Sequence, residues 1–187
     1  MFSNKSKKVS LEDEGGEETK ITDLFNSFAD DDDPDTISME GISKLGEQLE
    51  MDPSSDVRLL VLLWKLGALS KPGTITKSEF MTGMKKLRKD TIKGLKGLTP
   101  SFDIGFLERQ QFRDLYRFVF KFNLEGTHKT LEKDMVIALL GLVLDTNRAP
   151  HLNYFTEFLQ QWYLIIIIII IIIIIIIIII IIIIIIF

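Results

Sequence analysis

The residues best suited to bind a ligand form an acidic run, Asp-Asp-Asp-Asp-Pro-Asp, at positions 30–35. Apolar residues at helical spacing precede the run over 21–28 and follow it over 39–49, which predicts a helix on each side. Two helices joined by a carboxylate-rich loop form the arrangement in which a twelve-residue loop binds Ca²⁺. Such a loop needs oxygen ligands at positions 1, 3, 5 and 12, and glycine at position 6. Calcium binding is therefore the first chemistry that the sequence suggests.

The spacing within the acidic run does not meet these requirements. When Asp30 and Asp32 take positions 1 and 3, Pro34 occupies position 5 and Asp35 occupies position 6. Position 12, where Ca²⁺ needs a bidentate glutamate, is Gly41. We therefore interpret the run as a solvated acidic turn, and a calcium-sensing regulator is the alternative.

A second candidate loop, at 68–79, has the opposite defect. Gly73 and Glu79 occupy positions 6 and 12, but Ala68, Ser70 and Pro72 stand where the other ligands are required. Together the two loops predict a degenerate EF-hand-like N-terminal lobe, which keeps the helices of a calcium-binding pair but lacks a complete set of ligands. We expect no metal in either loop.

The sequence offers little that could catalyse a reaction. It has no cysteine, and its two histidines, His128 and His151, fall in predicted loops, where exposure to solvent is the simplest interpretation. Two distant histidines do not supply the three or four close ligands of a zinc site. Neither glycine-rich phosphate motif, G-x-x-x-x-G-K or G-x-G-x-x-G, occurs. We therefore expect a protein that is not an enzyme and that has no catalytic residues and no cofactor.

A run of 22 isoleucines at 165–186 raises the hydrophobic fraction of the chain to 47%. Without this run the fraction is about 40%, which is ordinary for a globular domain. The formal net charge of -4, from 22 basic and 26 acidic residues, gives no broad cationic surface and argues against nucleic acid as a partner.

The isoleucine run has two interpretations. A run of one β-branched residue is the product expected of a repeated codon or a shifted reading frame, so we interpret the tail at 162–187 as a repeat or an artefact. The alternative is a tail anchor, because 22 helical residues span about 33 Å and a bilayer core is about 30 Å thick. A membrane is a partner only if the tail is real.

Helical periodicity continues through the chain, and no segment has a convincing strand pattern. The predicted helices cover 21–28, 39–49, 53–64, 76–87, 91–98, 109–122, 130–143 and 152–161. Asp52-Pro53 and Thr130 are predicted to start two of them, and Thr76 with Glu79 has the spacing of a capping box. The predicted fold is all-α: a disordered, charged N-terminus at 1–20, one helical domain at 21–161 and the tail.

Four segments resemble a known domain in their order and spacing. They are ISMEGISKLGEQLEMDPSSDVRLLVLLWKLGA at 37–68, SEFMTGMKKL at 78–87, FRDLYRFVFKF at 112–122 and MVIALLGLVL at 135–144. Together they resemble the potentiating-neddylation domain of the defective-in-cullin-neddylation family. The resemblance implies a scaffold, not an enzyme, that holds the neddylation conjugating enzyme and a cullin together within ubiquitin ligase complexes of the nucleus and cytoplasm.

The resemblance also implies a partner-binding groove. In this family the acetylated N-terminal methionine of the conjugating enzyme, and the helix after it, enter an apolar groove. The matching positions in this sequence are Met39, Ile42, Ser54, Leu59, Leu62, Phe122 and Leu142. An apolar residue at helical spacing belongs to the core more often than to a groove, so the core is the alternative for each apolar position.

The resemblance ends near residue 161. Family members continue into a C-terminal lobe whose Asp-x-Trp-like segment and acidic residues contact the cullin, whereas here residues 162–164 lead into the isoleucine run. We therefore expect an incomplete C-terminal helical lobe. An alternative function follows, in which the chain is an inactive or membrane-anchored fragment that binds the conjugating enzyme without a cullin.

Overall fold

The computed structural model describes residues 4–124, 126, 128–144 and 148–186. The chain divides into two compact units, Met1–Leu131 and Glu132–Phe187. The described residues are mainly helical and include one sheet of two very short strands, which confirms the predicted all-α class.

The first unit contains six α-helices and the sheet. In chain order these are α1 (Asn4–Asn26), β1 (Thr36–Ile37), α2 (Met39–Gln48), α3 (Val57–Leu66), β2 (Ile75–Thr76), α4 (Lys77–Leu87), α5 (Ile92–Lys96) and α6 (Arg109–Phe122). Two short 3₁₀ helices, Thr99–Phe102 and Ile104–Phe106, connect α5 to α6. The second unit contains α7 (Lys133–Val143) packed against α8 (Leu152–Ile186).

Helix α1 is longer than the sequence patterns predicted. Its backbone is helical from Asn4, where we expected a disordered segment up to residue 20. The preceding residues are rich in Lys and Glu, which are good helix formers, and they extend a helix already fixed by the buried side chains of Ile21 and Phe25. An ion pair of 3.3 Å between Glu18 and Lys85 also joins this part of α1 to α4.

Two other helices begin later than predicted. Asp52 does not cap a helix but closes a turn, in which its carboxylate accepts hydrogen bonds from Ser54 and Ser55. The hydroxyl hydrogen bonds from these two serines lower the pKa of Asp52 to about 2. Helix α3 then begins at Val57, with Asp56 as the N-cap. Helix α7 begins at Lys133 and not just after Thr130, because its first hydrogen bond of the α type joins the Val136 N–H to the Glu132 carbonyl.

The core of the first unit lies where α3 and α4 pack together, and α1 also packs against α4. The rings of Phe25 and Phe80 meet edge to face there, with centroids 5.5 Å apart. Gly83 allows the closest approach of α4 to α3, because a Cβ atom at this position would lie 2.5 Å from the Cα and carbonyl oxygen of Leu66. The crossing therefore requires a residue without a side chain.

The two predicted loops pair through the sheet. Strands β1 and β2 are antiparallel, with Thr36 opposite Thr76 and Ile37 opposite Ile75. Both isoleucines are fully buried, so this ladder is part of the core. Within the first loop, Asp30 accepts hydrogen bonds from the Ser38 N–H and hydroxyl through one carboxylate oxygen, and from the Thr36 hydroxyl through the other.

Glu79 holds the second loop in the same way. Its Oε1 atom accepts hydrogen bonds of 2.7–2.9 Å from the Leu69 N–H and from the N–H and hydroxyl of Ser70. Its Oε2 atom accepts from the N–H and hydroxyl of Thr76, which confirms the predicted capping box. Both carboxylate oxygens of Glu79 thus already accept hydrogen bonds from the loop and from the start of α4.

Gly83→Ala is predicted to destabilise the first unit by roughly 1–3 kcal/mol, because the added methyl group would push α4 away from the backbone of Leu66. Urea unfolding followed by circular dichroism measures the effect. Gly16→Ala is the matched control: Gly16 lies in α1 with no neighbour within 4 Å, so alanine should stabilise by up to about 1 kcal/mol. Equal effects of the two substitutions would contradict the close packing at Gly83.

Glu79→Gln is predicted to lower the free energy of unfolding by about 1–2 kcal/mol at pH 7, because the amide would turn N–H groups toward the donors of the loop. Burial raises the pKa of Glu79, but hydrogen bonds from Thr76 and Ser70 outweigh it and lower the pKa below 4.5. A lowered folded-state pKa contributes stability above the unfolded pKa and loses it as pH falls through the folded value.

The difference in stability between the wild type and Glu79→Gln should therefore shrink as the pH is lowered below about 4.5. Glu47→Gln, at an exposed glutamate on α2, is the control and should leave stability unchanged. A difference that stays constant from pH 7 to pH 3 would show that the Glu79 carboxylate is not the group that closes the loop.

Candidate functional site

The predicted groove residues lie on four helices and one turn. Met39 and Ile42 are on α2, Ser54 is in the turn before α3, Leu59 and Leu62 are on α3, Phe122 is the last residue of α6, and Leu142 is on α7. The first six belong to the first unit and Leu142 belongs to the second.

Two of the predicted residues meet at Gly73. The Gly73 N–H donates a hydrogen bond of 2.7 Å to the carbonyl of Phe122, which ties the second loop to the end of α6. A Cβ atom at Gly73 would lie 3.8 Å from Cγ of Met39, so this side chain covers the same part of the loop. Met39 is 51% exposed although it is apolar. The start of α2, the second loop and the end of α6 thus form one surface with an accessible methionine, which we call the Met39 surface.

The other apolar positions of the first unit lie beneath the surface. Ile42, Leu59, Leu62 and Phe122 are each exposed by 3% or less. Leu59 faces α2, because a Cβ atom at Gly46 would lie 3.0 Å from one of its methyl carbons. Ile42 follows Met39 by three residues, on the same side of α2. We refer to these four buried side chains as the floor, and substitutions there would change stability as well as any binding.

The remaining two positions differ from these. Ser54 is exposed, and its hydroxyl donates a hydrogen bond of 2.7 Å to Asp52. Its position at this turn makes it a surface residue near the start of α3. Leu142 is partly exposed on α7, between the buried residues Leu140 and Val143. The placement of Leu142 relative to the other six stays a prediction.

The sequence patterns did not identify two residues of the second loop that matter for this site. Gly73 has a positive φ of 66°, and its N–H is the link to α6. Its position at the sixth place of a calcium-type loop indicated a sharp turn but not the contact with Phe122. Leu69, in the same loop, is a large apolar side chain that is 69% exposed. Only its exposure, which sequence patterns do not give, distinguishes it from a core leucine.

The described residues contain no arrangement suited to metal or acid–base chemistry at this site. Within the ranges that the structure describes, no three side chains of His, Asp or Glu are grouped closely enough to hold a metal ion. His128 and His151 are exposed, as expected. What the Met39 surface offers is apolar side chains beside a fixed loop backbone, which suits the binding of a peptide.

Comparison with known proteins identifies a matching family and several relatives. The sequence profile of the family described as Cullin binding matches residues 95–166, which extend from α5 into α8. The chain is 32% identical to the human DCN1-like protein 3 over 144 residues. It is 33% identical to the Xenopus tropicalis protein over 144 residues, and 32% identical to the Drosophila melanogaster protein over 142 residues, both also named DCN1-like protein 3.

These matches cover most of this chain but a smaller part of each relative. The human and Xenopus alignments include 76% of this chain and 46% of the relative, and the Drosophila alignment includes 75% and 42%. The chain therefore spans less than half the length of these relatives. The family resemblance found in the four sequence segments is confirmed. The chain belongs to the defective-in-cullin-neddylation, or DCN1-like, family.

Proposed function

We propose that the chain is a non-catalytic scaffold in cullin neddylation, which binds the acetylated N-terminus of the neddylation conjugating enzyme and brings that enzyme to a cullin. The observation that carries this proposal is the match to DCN1-like protein 3 over about three quarters of the chain, together with the cullin-binding profile at 95–166. The nuclear and cytoplasmic location that the resemblance implies is part of the same proposal.

A scaffold of this kind accelerates a reaction by position alone. The conjugating enzyme carries the modifier as a thioester, and the cullin supplies the acceptor lysine. Holding both partners on one protein makes their encounter effectively unimolecular and removes much of the entropic cost. The scaffold then needs two binding surfaces and no reactive side chain, which agrees with a site built from apolar residues and backbone.

We place the methionine of the conjugating enzyme at the Met39 surface. Acetylation removes the positive charge of an N-terminus, so an apolar site can accept it without burying an unpaired charge. Met39 is accessible and has three rotatable side-chain bonds, so it can move aside or pack against an incoming side chain. The buried floor below it, which includes Ile42 and Phe122, would keep the shape of the site fixed.

The second loop would orient the bound peptide. Glu79 fixes its first half, and the hydrogen bond from Gly73 to Phe122 fixes its middle. Two anchors keep the backbone beside Met39 in place, so that little conformational entropy is lost when a peptide binds there. Leu69, exposed in the same loop, would add apolar contact for the helix that follows the methionine.

Met39→Asp is predicted to weaken binding of an acetylated N-terminal peptide of the conjugating enzyme at least tenfold, because a charge would enter an apolar contact. Fluorescence anisotropy with a labelled peptide measures the affinity, and circular dichroism checks folding. Met135→Asp is the matched control, since Met135 is a methionine of α7 with 40% exposure that lies outside the predicted groove. It should leave peptide affinity unchanged.

Equal affinity of the wild type and Met39→Asp would exclude the Met39 surface as the methionine site.

A reconstituted neddylation assay distinguishes the full scaffold from a fragment that binds the conjugating enzyme without a cullin. Faster transfer of the modifier to the cullin, lost in Met39→Asp, supports the full scaffold function. Peptide binding without faster transfer would identify a fragment that binds the conjugating enzyme alone.

A further inference from the structure

Helix α8 has an apolar surface that nothing in its own unit covers. Its helical backbone extends from Leu152 to Ile186 with a bend after Trp162, and every residue from 165 to 186 is isoleucine. Each of the residues 168–180 is about half exposed, with values between 49% and 55%. Side chains on all sides of the helix are therefore equally accessible, so no single face is set aside for packing against α7.

The length of the isoleucine segment is close to the thickness of the hydrocarbon core of a bilayer. The 22 isoleucines span about 33 Å as a helix, and the hydrocarbon core of a bilayer is about 30 Å thick. Among the described residues, no single helix is long and apolar enough to cross a membrane. The segments Leu152–Trp162 and Leu164–Ile180, bent by 42° relative to each other, could do so as a pair by length and composition.

The segment before the isoleucines has the character of a membrane interface. Phe155, Phe158 and Trp162 are each about half exposed, and they recur at spacings of three and four residues on one side of the helix. Of the residues between them, four are polar and one, Leu159, is apolar. Aromatic side chains collect where the hydrocarbon core meets water, and an amphipathic helix can lie along that boundary. The bend between the two segments would allow one to lie in the interface while the other enters the core.

A second copy of the helix is a less suitable occupant than lipid. A helical dimer needs one apolar face on each helix with polar residues around it, and the isoleucine segment has no polar face. Lipid tails contact a helix on all sides, which agrees with the similar exposure of residues 168–180. We propose that the isoleucine segment of α8 inserts into a lipid bilayer, with Trp162 at the interface. This goes beyond the proposed scaffold function and does not depend on the conjugating enzyme or the cullin.

Flotation with neutral phosphatidylcholine vesicles tests the proposal on the full chain, after its intact mass has shown that all 22 isoleucines are present. The wild type should float with the vesicles in 1 M salt, because the attraction is not electrostatic. Ile174→Lys with Ile177→Lys should reduce the floated fraction at least tenfold, because lysine near the centre of a spanning helix opposes insertion. Gln160→Lys with Gln161→Lys is the matched control and should float like the wild type.

The fluorescence of Trp162 gives a second readout. The chain has two tryptophans, so Trp64→Phe leaves Trp162 as the reporter. Vesicles should shift its emission to shorter wavelength, and lipids brominated near the headgroup should quench it more than lipids brominated near the chain ends.

Four results would overturn the proposal. They are an intact mass without the isoleucines, failure of the wild type to float, sedimentation of the wild type as aggregates that exclude lipid, and equal flotation of the variant with lysines at 174 and 177. Peptide binding by the Met39 surface is measured without vesicles. Failure of membrane insertion is therefore distinguishable from failure of the scaffold function.

Discussion

The Glu79 carboxylate is the interaction on which the first unit most depends. It accepts five hydrogen bonds from the second loop and the start of α4, and these fix the loop, the helix start and strand β2 together. Strand β2 in turn pairs with β1, whose loop is held by Asp30. The two loops are therefore joined by the sheet, and each is held by hydrogen bonds to its own carboxylate.

The hydrogen bonds that hold the second loop also position the proposed site. Because the second loop is fixed at Glu79, Gly73 is presented to the carbonyl of Phe122, and the start of α2 lies beside both. Helices α3 and α4 also cross closely at Gly83, against the backbone of Leu66. The proposed peptide site would consist of a methionine side chain beside this fixed backbone. Its specificity would come from shape and from the absence of charge on an acetylated N-terminus.

The second unit differs from the first in how its apolar residues are distributed. Helices α7 and α8 pack together, but from Ile165 to Ile186 helix α8 consists of one apolar residue type. Burial within a globular protein needs an apolar stripe, whereas a helix surrounded by hydrocarbon needs none. The proposal that lipid surrounds the isoleucine segment follows because this segment has no polar face.

The sequence by itself determined the all-α class, the family, and the elements whose chemistry is local. The Thr76 capping box was predictable because its partners lie three residues apart, and the 109–122 helix because its apolar spacing is regular. Where a local pattern had two solutions, sequence was insufficient: Asp52 can cap a helix or close a turn, and the serines beside it favour the turn.

Only the tertiary structure decided which groove residues are accessible. Met39 and Ile42 have the same period and polarity in the sequence, yet one is half exposed and the other is buried. The difference arises from long-range packing: Ile42 lies within the core below α2, while Met39 lies over Gly73, whose contact with Phe122 spans 49 residues of chain. Exposure depends on partners distant in sequence, and a periodic pattern specifies which face is apolar but not what covers it.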